Sequence, residues 1–100
     1  GQVDLTPDGK ARHAGDMATQ TRETLRFIRD VMTGHGAKMD DAVKVITFYK
    51  GGASYDHLHE NLSIRSAAFS GPGPATTGIP LEALGVENCE IEIEIYAVTE

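Results

Sequence analysis

One hundred residues, 40% hydrophobic and 24% charged, make a single globular domain rather than a disordered chain. A net charge of −6 and a pI near 5.1 argue against a module that tracks nucleic-acid phosphates, which needs a basic face. The sequence holds no apolar run long enough for a transmembrane helix and no signal-peptide pattern, and its one cysteine, Cys89, can form no internal disulfide. The expectation is a cytoplasmic protein with no membrane and no nucleic-acid partner. The chain starts at Gly1 rather than Met, so a leader, a tag or further natural sequence is expected upstream.

Gly1 to Leu5 has the character of a strand entered part-way. The turn Thr6-Pro7-Asp8-Gly9 closes it, proline setting one φ and glycine accepting a positive one. Lys10 to Gly15 is polar and reads as loop. Asp16 is a good N-cap for a first helix. Ala18, Thr21, Leu25, Ile28 and Met32 then recur at helical spacing, and Phe27 and Val31 widen the stripe. Arg22, Arg26 and Arg29 face outward with Glu23 and Asp30, as a solvated helix face does. Gly34-His35-Gly36 ends the helix, with glycine free to take the left-handed cap.

Asp40 to Tyr49 is almost continuously apolar from Val43 onward, which predicts a central strand covered on both faces. Gly51-Gly52 breaks it. Ser54 suits the cap of a second helix with Tyr55, Leu58, Leu62 and Phe69 as its apolar stripe, stopped by Ser70-Gly71-Pro72-Gly73-Pro74. Pro74 to Pro80 is a short extended piece and Leu81 to Asn88 a turn or loop.

The most regular stretch is the last, Cys89 to Val98. Ile91, Ile93, Ile95 and Ala97 alternate with Glu90, Glu92, Glu94 and Tyr96, the period-2 signature of a strand with one buried face. Three carboxylates on one face must be wet or must meet donors. The plain reading is a solvated strand face; the sharper one is that a glutamate does acid–base or hydrogen-bonding work in a cleft over the sheet.

The order β-α-β-α-β-β, with right-handed crossovers, places both helices on one side of a mixed sheet. The fold class is thus α/β (more strictly α+β), a two-layer sandwich over residues 1–100 whose other sheet face must meet water or another subunit. No metal is expected: His57 and His59 point opposite ways on a helix, His57 with Glu60 makes only two ligands, and His13 and His35 sit in loops without partners. Cys89 has no adjacent base and reads as a packed thiol. No cofactor loop is present, since the prolines of the Gly71-to-Pro74 run remove the N–H donors that a phosphate requires.

Several stretches together resemble the Rid proteins, the reactive intermediate deaminases also known as the YjgF or endoribonuclease L-PSP family. They are Thr21-Arg22-Glu23-Thr24-Leu25, Gly36-Ala37, Asp40-Asp41-Ala42-Val43-Lys44-Val45, Gly1-Gln2, Pro74-Ala75, and the ending Ile91-Glu92-Ile93-Glu94-Ile95-Tyr96-Ala97-Val98. The resemblance implies a chorismate-mutase-like fold and a homotrimer, its sheets forming a central barrel, with a small-molecule site in each intersubunit cleft. The family's N-terminal hairpin would precede Gly1. The resemblance also implies that Glu92 stands where the family's glutamate positions the water that attacks an imine. The substrate-carboxylate arginine of the family's P-A-R segment is replaced by Thr76, and a common cysteine two positions on by Gly78, so the chain looks like a divergent branch. Thr76, Thr77, Gly78 and Asn61 are the matching substrate-binding positions. Three functions follow from the resemblance: an enzyme that deaminates or tautomerises a small enamine, imine or related carbonyl compound of no or different charge; a non-catalytic ligand-binding or regulatory trimer; and, against the acidic charge, an endoribonuclease.

Overall fold

The computed structural model describes residues 1–51, 55–71 and 73–99, with residues 55–58 in backbone only. Its elements are helix α1 (Met17–Gly34), a 3-10 turn at Met39–Asp41, strand β1 (Ala42–Lys50), helix α2 (Tyr55–Ser66), strand β2 (Ala75–Leu81) and strand β3 (Ile91–Ala97).

Helix α1 begins and ends where its local chemistry dictates. The Asp16 carboxylate accepts from the Thr19 backbone N–H at 3.0 Å and from its hydroxyl at 2.7 Å, satisfying a donor the helix leaves unpaired. At the other end Gly36 takes φ 77°. The Gly36 N–H donates to the Thr33 carbonyl and the Ala37 N–H to the Met32 carbonyl, the paired bonds of a Schellman cap.

Three strands form the sheet in the order β2-β1-β3. β1 runs parallel to β2 and antiparallel to β3. The strand expected at Gly1–Leu5 contracts to two isolated bridges: Leu5 pairs with Ala11, and at Gln2 the N–H donates to the Ile93 carbonyl at 2.7 Å while the Ile93 N–H donates to the Gln2 carbonyl at 2.9 Å. The turn at Thr6–Gly9 forms as expected, with Gly9 at φ 85°.

Leu25, Ile28 and Met32 of α1 pack with Met39, Val45, Ile91 and Ile93 as one core, and Ile64 of α2 joins its margin. Both helices therefore lie on the face that holds Val45, Thr47, Ile91, Ile93 and Ile95. β1 is central in the sheet but is covered on that one face alone, not on both. Val45 and Thr47 are buried, Ile46 and Phe48 are half-buried, and Lys44 is exposed. The near-continuous apolar run reflects an open face that is itself apolar, not a second layer within the chain.

The helix stripes also differ from expectation. Val31 is 50% exposed, whereas the polar Gln20 is 1% exposed, although the two lie on nearly the same side of α1. Loop segments roof the helix at Gln20 and leave it bare at Val31. Gln20 Nε2 shares its two hydrogens among the carbonyls of Arg12, His13 and Asn88 at 3.0–3.2 Å, and its Oε1 accepts from the Glu90 N–H at 2.7 Å. Helix α2 ends at Ser66, before Phe69, and Leu62 is 48% exposed; Asn61 and Ile64 are the described residues of α2 that turn inward. The expected cap Ser54, and the side chains of Tyr55, His57 and Leu58, lie outside the described residues. Among the described residues no helix is long and apolar enough to cross a membrane.

The Asp16 cap gives a pH-dependent stability. Hydrogen bonds from Thr19 hold the Asp16 carboxyl below its ordinary value of 3.8. A carboxyl held low in the folded state adds stability above its unfolded pKa, and that contribution is lost as pH falls through the folded value. Asp16→Ala should cost about 0.5–1 kcal/mol at pH 7 by urea unfolding. The gap from wild type should narrow below pH 3.8; an equal gap at pH 7 and in strong acid would contradict the cap assignment.

Candidate functional site

The pairing register sorts the candidate residues onto two faces. Glu92 pairs with Phe48 and Glu94 with Ile46, while Thr77 also pairs with Ile46 from the β2 side, so all lie on the face away from the helices. Thr76 pairs with Val45 and Gly78 with Thr47, which puts them on the helix face. β1 separates β2 from β3 throughout. One chain therefore does not bring Glu92 together with Thr76, Thr77 and Gly78.

The three glutamates occupy different surroundings. Glu90 lies just before β3, its N–H held by Gln20 and its carbonyl accepting from the Lys50 N–H at 2.9 Å. The Glu94 carboxylate accepts from the Tyr96 hydroxyl at 3.1 Å, and this bond pushes the phenol above its ordinary pKa. Lys44 Nζ stands 5.7 Å from the centre of the Tyr96 ring. Glu92 is half-buried, and its side chain makes no hydrogen bond to another described residue. Its side chain lies against the backbone of Gly1: a Cβ built there would fall 2.8 Å from Glu92 Cγ and 3.0 Å from Oε2. Glycine at position 1 is thus what admits the carboxylate, and sequence reasoning could not see this contact because its partners lie at opposite ends of the chain.

Asn61 is 3% exposed and ties the helices together rather than lining an opening. Its Oδ1 lies 3.2 Å from the Thr21 hydroxyl, and its Nδ2 has no partner among the described residues. Thr76 and Thr77 are exposed. Cys89 is 3% exposed, and burial, then the charges of Asp4, Glu92 and Glu90, push its thiol upward, away from the reactive thiolate. His13, expected to be without a partner, has one: its Nδ1 lies 2.7 Å from a carboxylate oxygen of the buried Asp4, whose other oxygen is 3.6 Å from Arg12. No cluster of metal-ligating side chains occurs among the described residues.

A second cleft opens on the helix side, between α2, the strands β1 and β2, and residues Gly71, Gly73 and Pro74. Val45, Leu62, Phe69 and Pro74 give it apolar walls, and Arg65 and Thr76 give it polar groups.

Two helices on one side of a mixed sheet whose other face is open define a two-layer α+β domain. Comparison with known proteins makes the class specific. Residues 1–99 match the family model described as endoribonuclease L-PSP, so the chain belongs to the Rid/YjgF family. A Rid-family protein of Yersinia pestis superposes with a TM-score of 0.85 at 24% identity, over 99% of this chain and 74% of that one. Yeast Mmf1 gives 0.82 at 24% identity, over 100% and 76%. RidA from a Psychrobacter species gives 0.79 at 21% identity, over 95% and 73%. At these identities the structures establish the shared fold.

Gly1→Ala should displace the Glu92 side chain, since its Cβ would overlap Cγ. A crystal structure of the variant should show a changed Glu92 rotamer, with unfolding free energy altered by less than about 1 kcal/mol. An unmoved carboxylate would show that the contact is loose.

Proposed function

We propose that the chain assembles as a homotrimer through its open sheet face and hydrolyses a small imine or enamine in a cleft between subunits. Glu92 is the group that handles water. The observation that carries this reading is the contact of Glu92 with Gly1 on the open face, where its carboxylate is unengaged while that of Glu94 is bonded to Tyr96. Thr77 lies on the same open face but two strands away, and Thr76 and Gly78 lie on the other face, so they reach a glutamate only across a subunit boundary.

In this mechanism an enamine first takes a proton on carbon and loses one from nitrogen to become an imine. Water adds to the imine carbon as Glu92 accepts its proton and the nitrogen gains one. The C–N bond of the resulting carbinolamine then breaks, giving a carbonyl compound and ammonia. Hydroxyls of Thr76 and Thr77 and the N–H groups beside Gly78 orient the substrate. The same acid–base pair of steps, stopped before water adds, is a tautomerisation. No cofactor or metal enters these steps.

A second reading is a ligand-binding or regulatory trimer without turnover. It is favoured by Thr76, whose single hydroxyl replaces a charged bidentate fork. RNA cleavage is the least supported, because the open face carries Glu92 and Glu94 beside its lysines and the chain is acidic overall.

Two measurements check the reading. Light scattering on the full-length protein at micromolar concentration should give three times the 10.7 kDa mass of this chain, allowing for any further residues, because Leu81 and Tyr96 remain 38% and 48% exposed beside half-buried Ile46, Phe48 and Ile79. A monomer would defeat the intersubunit cleft. Glu92→Gln should lower ammonia release from imines generated in solution by about a hundredfold or more, with the trimer intact. Equal turnover in wild type and variant would remove Glu92 from the mechanism, and no turnover in either would leave the binding reading.

A further inference from the structure

Asp4 is the one charged side chain among the described residues that is fully buried, and the chemistry assigned to Glu92 gives it no role. One carboxylate oxygen lies 2.7 Å from His13 Nδ1. The other has no hydrogen bond among the described residues and stands 3.6 Å from Arg12 Nη1. A carboxylate withdrawn from water and only partly bonded depends on a positive partner close by. Arg12 is permanently charged but is too far to donate a bond. The imidazole makes the short contact, and it carries a charge only when both ring nitrogens hold protons.

The loop holds that imidazole in place. His13 adopts φ 52°, and its carbonyl accepts from the Asp16 N–H at 3.0 Å and from Gln20 Nε2 at 3.2 Å. The Asp4 carbonyl accepts from the Arg12 N–H at 3.0 Å. Asp4 is therefore tied through main chain and side chain to a loop that α1 itself fixes. The charged groups facing the imidazole are Asp4 and Arg12, from the N-terminal segment and its loop, and Asp16 at the head of α1, whose carboxyl feels the charge of His13. The Cys89 thiol, just before β3, feels the charges of Asp4, Glu92 and Glu90 together.

The same segment reaches Glu92. Gln2 is joined to β3 by a single bridge at Ile93, and an isolated pair of ladder bonds opens readily. Asp4 is the next anchored residue, two positions on. Alternation about the bridge turns Gly1 toward Glu92 on the open face and Asp4 inward. Four residues thus connect the buried pair to the backbone on which the Glu92 side chain rests.

We propose that Asp4 is a positioning residue: its pairing with a charged His13 anchors the N-terminal segment on β3 and so holds the Gly1 backbone against Glu92, which makes the placement of that carboxylate dependent on the charge of one imidazole. The inference deepens the preceding reading by naming a control on Glu92. It rests on that reading for what Glu92 does, but not for how Glu92 is held.

The test is amide hydrogen exchange and NMR on the full protein without substrate, from about pH 5 to about pH 8, the range in which a histidine changes charge. The ring resonances of His13 follow its own titration. As His13 loses its charge, protection of the Gln2 and Ile93 N–H groups, corrected for intrinsic rates, should fall by about fivefold or more, and the Gly1–Glu92 cross-peak should weaken. Protection at Leu25 and Ile28 in α1 should not change. Asp4→Asn and His13→Gln should show the low protection at both ends of the range, and His13→Arg, which keeps a charge, should retain the high protection at both. Should Asp4→Asn fail to fold, His13→Gln decides. Protection at Gln2 and Ile93 that ignores the His13 titration, or wild-type protection in His13→Gln, would overturn the proposal. So would a loss shared equally by Leu25 and Ile28, which marks a merely structural pair, or a loss in His13→Arg as deep as in His13→Gln. No substrate is present, so a negative result in the Glu92 assay leaves this measurement standing.

Discussion

One buried amide holds the two halves of the layer structure in register. Gln20 projects from α1 into a space bounded by the loop after the first turn and the approach to β3, and it makes four hydrogen bonds there. A buried polar group is tolerable only when its bonds are made, and here they are made to backbone on two separate segments, Arg12–His13 and Asn88–Glu90. The arrangement fixes where β3 enters the sheet, because the Glu90 N–H is one of the bonds. The alternation of isoleucine and glutamate then follows without freedom: a slip of one residue would turn Ile91, Ile93 and Ile95 outward and bury the carboxylates. The position of Glu92 on the open face thus depends on an amide far from it.

The division of the sheet into two faces governs what the chain can do. On the helix side lie Thr76, Gly78 and the Arg65 cleft. On the other lie Glu92, Glu94 and Thr77 beside an apolar floor of Ile46 and Phe48. Glu92 and the candidate positions Thr76 and Gly78 thus stand on opposite faces of one sheet. The chain belongs to the Rid/YjgF family, and the match runs through residues 1–99.

Much of the fold was legible because it rests on local rules. Asp16, Gly36 and the period-2 ending each act over a few residues, and each behaves as its chemistry requires. Elements whose form depends on distant neighbours were harder to read. The first strand contracts to isolated bridges, one to β3 at Ile93 and one to Ala11 across the turn. The covering of β1 was misjudged because an apolar run looks the same whether its second face meets a helix or stands open. At the candidate site, Glu92 was visible as one of three similar glutamates, but the glycine that distinguishes it lies at the far end of the sequence. The bond of Arg65 to Thr47 carries no local signal, because nothing in its neighbours announces that Thr47 lies beneath it. His13 and Gln20 were missed for the same reason, their partners being a loop turn or a strand away.

The bridge between Gln2 and Ile93 has a bearing on the order of folding. It joins segments separated by almost the entire sequence, so the chain entropy lost in closing that loop is near the largest this domain can incur for a single contact. The β1–β2 crossover and the helix caps close much shorter loops and can form before it. Gly1 is attached to that bridge, so the surface against which Glu92 rests is assembled among the last parts of the molecule and released among the first. The carboxylate that the proposed chemistry uses is therefore set in place by a clasp, and the ease of opening that clasp is an intrinsic limit on how long the site stays ready.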